Sequence, residues 1–266
     1  CGCIKLRICS AGPENAEIAE PKERTTDREI DDGLLETLRH NLSFSYPCGA
    51  ATELPSKVTA TEMKSREEPD PDARNIAPQR SRTFRRPELL SDGLPVTGTE
   101  KGTATHTVLQ FIDYSKTGDT ESVRSEIARL RASRFISDRQ AEVVDADAIL
   151  KLFRSETGRR IMNADSVRRE FKFSLLCPAS DFFENGAGEN VLLQGVMDCC
   201  IEENGELTVI DYKTDRVRGD ALLQRAEFYK GQLRAYAIAA QRITGKPVKE
   251  CVLYFLDAGE EVVIKM

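Results

Sequence analysis

The chain has 266 residues, 40% of them hydrophobic, and a formal net charge of −6. That apolar content permits a sizeable core and excludes a disordered polyelectrolyte, while the acidic balance means that any nucleic-acid surface must be local. No apolar run approaches the roughly 18 residues a membrane helix needs, and no charged-then-apolar leader opens the sequence, so a soluble cytoplasmic protein with no membrane partner is expected.

In chain order, residues 1–11 (CGCIKLRICSA) read as a short strand and residues 12–29 as a polar loop or linker. The first residue is Cys rather than Met, and the expectation is a piece of a longer polypeptide. Leu34, Leu35, Leu38 and Leu42 recur at helical spacing, and this helix stops before 46-YP-47. In 59-TATE-62 a Thr precedes a Glu by three, the spacing of a capping box that starts another short helix. Residues 66–98 turn Pro- and charge-rich, with an acidic half (Glu67, Glu68, Asp70, Asp72) before a basic half (Arg74, Arg80, Arg82, Arg85, Arg86). This predicts an extended connector, whose arginines either touch a phosphate backbone or are simply solvated.

Residues 102–114 (GTATHTVLQFIDY) predict a helix with Val108, Leu109, Phe111 and Ile112 on its apolar side. Ser137 with Gln140 is another capping-box pair, and Ile149, Leu150, Leu152 and Phe153 form a further apolar face. The last hundred or so residues change character. Runs at 170–176, 191–201, 207–213 and 251–257 are strand-like, and 221–243 is rich in helix formers and ends at 244-TGKP-247. Strands, a helix and a further strand predict an α/β or α+β core preceded by helices, with no internal repeat. The eight cysteines (Cys1, Cys3, Cys9, Cys48, Cys177, Cys199, Cys200, Cys251) lack CxxC spacing and are expected to be reduced and mostly packed.

The second and third strand-like runs are separated by 202-EENGE-206. Asn-Gly between strands signals a two-residue type I′ hairpin, which places Glu203 opposite Glu206. Counting down both strands from that pair brings Asp198 directly opposite Asp211. Carboxylates so opposed have Cβ atoms about 4.5–5.5 Å apart and repel, so a cation between them is expected. Alternation sends Lys213 to the face of Asp211 and Tyr212 to the other. A divalent cation held by oxygen ligands beside a lysine suits the pair, as for activating water against a phosphodiester. A buried Asp–Lys ion pair with the second acid turned to solvent is the other reading the residues allow.

At these residues, 195-GVMDCCIEENGELTVIDYKTD-215, the sequence resembles the RecB-type branch of the PD-(D/E)xK nuclease superfamily, with Met197 in place of the proline that precedes the first acid. Further stretches carry the resemblance: 101-KGTATHTVLQ-110, 228-FYKGQLRAY-236, and 55-PSKVTATEM-63 with 84-FRRPELL-90, the last two being similar to the lead-in of AddA-type helicase–nuclease domains. The resemblance implies an α/β, restriction-endonuclease-like core, a mixed sheet flanked by helices with a helical N-terminal portion. It implies Mg²⁺, for which Mn²⁺ can substitute, held by His106, Asp198, Asp211 and the Tyr212 backbone carbonyl. Catalysis then falls to Asp198, Asp211 and Lys213, with Gln232, Tyr236 and Glu170 supporting the site or touching DNA.

The implied substrate is single-stranded DNA from an unwound duplex, and the implied partners are helicase motor domains and an AddB-type subunit. An iron–sulfur cluster of the kind that some relatives carry is not expected, since no suitable cysteine set flanks the core. No GxxxxGK[ST] loop occurs in the sequence either. The expected organisation is a remnant or linker over 1–33 and a nuclease domain over 34–266, made of a wrapping lead-in (34–100), a helical portion with His106 (101–169) and the catalytic core (170–266). A stand-alone phage-type exonuclease and a catalytically silent DNA-binding or assembly module of the same fold are the alternatives.

Overall fold

The computed structural model describes residues 32–44, 49–64 and 97–266. The strand expected at 1–11, the polar stretch at 12–29, the 46–47 stop signal, the charged connector up to residue 96 and Cys1, Cys3, Cys9 and Cys48 lie outside the described residues. The chain falls into two compact units, 1–49 and 50–266. In the first, α1 (Asp32–Leu42) is the predicted leucine helix, with Asp32 in its first turn and Arg39 and His40 in its last, matching the helix dipole. Its Leu34, Leu38 and Leu42 are exposed. The short α2 (Gly49–Glu53) spans the point of division.

The second unit opens with β1 (Lys57–Thr59) and a 3₁₀ turn over Ala60–Met63, started by the predicted Thr59–Glu62 capping box. Five helices follow: α3 (Gly98–Phe111), α4 (Thr120–Ala132), α5 (Asp138–Val143), α6 (Ala146–Arg154) and α7 (Glu156–Asn163). Next come β2 (Ser166–Pro178), β3 (Asn190–Glu203), β4 (Glu206–Lys213), α8 (Asp220–Thr244), β5 (Val248–Phe255) and β6 (Glu260–Lys265). The Ser137–Gln140 capping box starts α5 as expected, and Gly245, at φ 72°, ends α8 in the left-handed region.

α3 starts at Gly98, four residues before the predicted position. The reason is a reciprocal cap: Glu100 N–H donates to Thr97 Oγ1 (3.2 Å) and Thr97 N–H donates to Glu100 Oε2 (2.9 Å). Phe111, expected on the buried side, is the last residue of α3 and is 38% exposed, its ring packing on Phe135 at 4.4 Å. β1 and β6 lie outside the predicted runs; each is short and lies at an edge or beside a break in pairing, where few residues carry a pattern.

The six strands form one mixed sheet in the order β1-β3-β4-β5-β6, with β2 also paired to β3. Alternation along β4 sorts its side chains between two cores. Leu207 and Val209 pack with Leu233, Tyr236 and Ala239 of α8, while Ile210 and Tyr212 pack with Val108, Leu130, Ile149 and Phe153 of the helices α3–α7. The result is a sheet with helices on both faces, an α/β fold. Cys177, Cys199, Cys200 and Cys251 are buried free thiols within it.

The hairpin register is the predicted one. Asn204 and Gly205 have φ of 52° and 82°, the left-handed pair a type I′ turn demands, and the ladder runs from Glu203↔Glu206 to Cys199↔Ile210. There it stops, one step short of Asp198 and Asp211. β2 occupies one edge of β3 along its length, so β4 (at Cys199–Glu203) and β1 (at Leu192–Gln194) share the other. Among the described residues, 195–198 have no strand partner on that edge.

The alternation also reverses there. Val191, Leu193 and Met197 of β3 face α8, but beyond Asp198 it is Cys200 that does so, while Cys199 and Ile201 face the other helices. β2 does the same, with Phe173 and Cys177 on the α8 side and Val167 on the opposite one. The turning point in β2 is Glu170, held at φ 47° between the pairs Arg169↔Cys199 and Phe171↔Met197 and therefore opposite Asp198. That conformation costs a residue with a Cβ about 1–2 kcal/mol.

Candidate active site

The gap in pairing is where charged side chains converge. Asp198 accepts a hydrogen bond from the Tyr212 amide at Oδ2 (2.8 Å), and its Oδ1 lies 3.1 Å from Nδ1 of His106, which α3 brings in from the opposite layer. The imidazole also sits edge-on to the Tyr212 ring, centroids 6.3 Å apart. Glu170, turned by its left-handed backbone, completes a trio: one ligand atom each from His106, Glu170 and Asp198 lies within 4.8 Å of the others.

Asp211 is 2% exposed and faces α8. Its Oδ2 is buried without a well-formed hydrogen bond and lies 2.6 Å from Lys213 Nζ as an ion pair. Lys213 donates to Gln232 Oε1 (3.2 Å), and the Gln232 amide donates to the Tyr236 hydroxyl (2.7 Å). Gln232 and Tyr236 are one helical turn apart on α8, which is how a single helix supplies both. Gly231, the residue before Gln232, is where the Ala60–Met63 turn meets α8; a Cβ there would lie 1.8 Å from the Met63 carbonyl oxygen. Only glycine permits that approach.

Electrostatics follow from burial. Desolvation pushes the Asp211 carboxyl up to about 6, against the pull of Lys213 and with the help of Asp198. Burial, then the charge of Asp198, also raises Glu170. For His106, burial lowers the pKa, but the hydrogen bond and charge of Asp198 with the charge of Asp211 outweigh it and the net shift is upward. Three carboxylates face one lysine and one imidazole, an excess of negative charge in a poorly solvated place. The set fits a hard divalent cation: carboxylate oxygens and one imidazole converge, and a buried carboxylate oxygen still lacks a proper donor.

The surrounding cavity is about 1230 Å³, and Lys64, Lys101 and Arg216 line it together with Asp198, Asp211 and Lys213. That is larger than the roughly 300–1,000 Å³ of common small-molecule pockets, so it has room for an extended ligand.

All the sequence-predicted side chains, His106, Glu170, Asp198, Asp211, Lys213, Gln232 and Tyr236, are thus brought to one place. Tyr212 enters through its backbone, with its N–H on Asp198, while its ring lies in the α3–α7 core. Glu170 lies opposite Asp198 in the strand register. Sequence reasoning missed Arg225 and Tyr229, which surround Asp215: Arg225 Nε donates to Asp215 Oδ1 (2.8 Å), and the Tyr229 hydroxyl lies 3.2 Å from Oδ2. The available signal was spacing, since Arg225, Tyr229, Gln232 and Tyr236 follow one another at helical intervals along α8.

Residues 81–266 match a family model described as the PD-(D/E)XK nuclease superfamily. Among curated proteins, the chain is 32% identical over 265 residues to an ATP-dependent helicase/nuclease subunit (AddA) of Desulforudis audaxviator, covering 96% of this chain and 21% of the relative. Proteins of the same description from Desulforamulus reducens and Moorella thermoacetica are 34% and 35% identical, over 87% and 85% of this chain and 19% and 16% of theirs. The chain spans about a fifth of the length of these curated relatives.

Proposed function

The chain belongs to the PD-(D/E)XK nuclease superfamily, and on that ground we propose that it is a Mg²⁺-dependent nuclease module that hydrolyses phosphodiester bonds in single-stranded DNA. The observation that carries this reading is the meeting of His106, Glu170 and Asp198 beside the buried Asp211–Lys213 pair, in a cavity that Lys64, Lys101 and Arg216 also line. Among the described residues, no helix is long and apolar enough to cross a membrane.

In this reading Asp198, Asp211, His106 and the Tyr212 carbonyl hold the cation, with Glu170 beside Asp198. When bound, a divalent cation makes water a stronger nucleophile at neutral pH and offsets the charge that builds on the phosphate. Lys213 orients the attacking water and faces the developing negative charge with its ammonium, which Gln232 and Asp211 keep in place. Gln232 is itself held by Tyr236. Lys64, Lys101 and Arg216, which line the cavity alongside Asp145 and Asp257, supply cationic contacts for the backbone phosphates in a chain of net charge −6.

The curated relatives are named as helicase/nuclease subunits. We extend the proposal accordingly: the module works within a longer chain, beside helicase motors and an AddB-type subunit that deliver unwound strands during double-strand break processing.

The test is Asp211→Ala in the purified chain. Mg²⁺-dependent degradation of a single-stranded oligonucleotide is expected to vanish while the circular dichroism spectrum is unchanged; equal degradation by mutant and wild type removes the reading.

A further inference from the structure

Asp215 lies past the end of β4, beyond the acids that meet at the cavity floor, and the proposed chemistry gives it no role. The structure shows what it holds. Arg225 clamps it with Nε and a terminal guanidinium nitrogen (2.8 and 2.7 Å to Oδ1), and the Tyr229 hydroxyl lies 3.3 and 3.2 Å from its two oxygens. Tyr229 is 4% exposed, so its ring is fixed by packing along its sides and by a carboxylate at its tip. The face of that ring lies 4.0 Å from Lys213 Nζ, with Lys64 Nζ at 5.0 Å and the Arg225 guanidinium carbon at 5.1 Å from the same centroid.

A lysine ammonium on a four-carbon stem has many rotamers, and its three N–H groups do not define a direction unless its surroundings do. Here Asp211 and Gln232 take it from two sides and the Tyr229 ring from a third. Donation of the phenol proton toward Asp215 enriches the ring in electron density, which strengthens its attraction for a cation.

We propose that Tyr229, oriented by Asp215 and Arg225, is a positioning residue that aims the Lys213 ammonium at the reacting phosphate. This rests on the reading of Lys213 as the group that faces the attacking water. Asp215 then acts at one remove, by setting the angle of the ring.

The test compares Tyr229→Phe, which keeps the ring, with Tyr229→Leu, which removes it. The purified chain is given Mg²⁺ and a single-stranded oligonucleotide, and rates are normalised to folded protein. Tyr229→Leu is expected to lower kcat about 10- to 30-fold with KM for the oligonucleotide and Mn²⁺ affinity by calorimetry unchanged, and Tyr229→Phe, which keeps the ring but loses the hold of Asp215, is expected to lower kcat only about threefold. A merely structural tyrosine would lower the melting temperature in both variants and leave kcat per folded molecule intact in both. That result overturns the proposal, as does Phe proving as damaging as Leu.

An independent readout uses wild-type protein carrying ¹³C-lysine, with Lys213→Arg to assign the signal. The ring should shift the Lys213 ε-methylene protons upfield, and their absence from the shifted region overturns the proposal even if the Leu variant does not fold. A nuclease reading that fails shows itself separately, as equal degradation by wild type and Asp211→Ala.

Discussion

β3 and β4 carry charge at both ends, and the two ends handle it in opposite ways. At the hairpin end, Arg160 of α7 reaches Glu203 (2.6 Å), Glu250 (2.8 Å) and the Thr208 hydroxyl (2.8 Å), so one planar fork serves two acids and a neutral acceptor. Attraction dominates there: the hydrogen bond to Glu203 outweighs burial and raises the Arg160 pKa. At the cavity end three acids face one lysine and one imidazole, desolvation dominates, and Asp211 is pushed up to about 6. The first cluster is complete as it stands. The second leaves its acids in excess, and the proposed divalent cation would offset them, which is the physical difference between a clamp and a binding site.

The contrast has a large consequence for metal-free protein. In an unfolded chain Asp211 titrates near about 3.9, and folded it titrates at about 6. The native state therefore holds the proton more tightly, so this group's contribution to stability is present below pH ~4 and is lost as the pH rises through ~6, on the order of 2–3 kcal/mol in all. The stability of metal-free wild type minus that of Asp211→Asn should fall across this window and be flat above it, as read by urea unfolding at successive pH values with a chelator. Saturating Mg²⁺ should raise the wild type and not the mutant at pH 7. A difference curve with no slope between pH 4 and 6 would mean that the cavity end is as well paired as the hairpin end.

Arg160→Met probes the other end. It removes charge-assisted hydrogen bonds from a side chain about one-fifth exposed (22%), and the expected loss is about 2 kcal/mol in the unfolding free energy. Calorimetric Mn²⁺ affinity and kcat per folded molecule should stay at the wild-type level. Loss of metal affinity would show that the two ends are coupled through the sheet.

Which features were legible follows from how local their causes are. The Asn204–Gly205 turn, the Thr59–Glu62 and Ser137–Gln140 caps and the Gly245 stop depend on residues within a few positions of each other, and the structure has them as read. The convergence of Asp198, Asp211 and Lys213 was legible because an Asn-Gly turn converts spacing along the chain into register across it. Glu170 reads in the sequence only as a supporting or DNA-touching residue; its position opposite Asp198 was not legible, because it depends on a left-handed residue and a reversal of alternation in two strands at once, and a single-strand pattern contains neither. Tyr229 hid for another reason. On a helix with buried alanines and aromatics on one side, a tyrosine reads as core, and the role proposed for it depends on Asp215 and Lys213, which lie before the helix begins.

The smallest effect concerns the turn that joins the two strands. Gly205 has φ 82°, and a Cβ there would meet no neighbour within 4 Å, so the cost of Gly205→Ala is backbone strain alone, about 1–2 kcal/mol. The register should survive it. A one-residue slip of β4 would carry Val209 and Ile210, each at most 1% exposed, to the wrong faces of the sheet, and that penalty far exceeds the strain in one turn residue. Urea unfolding of Gly205→Ala should thus show a lowered midpoint with an unchanged slope, while Mn²⁺ affinity stays at the wild-type value. If metal binding falls along with stability, the turn rather than the buried alternation sets the distance between Asp198 and Asp211.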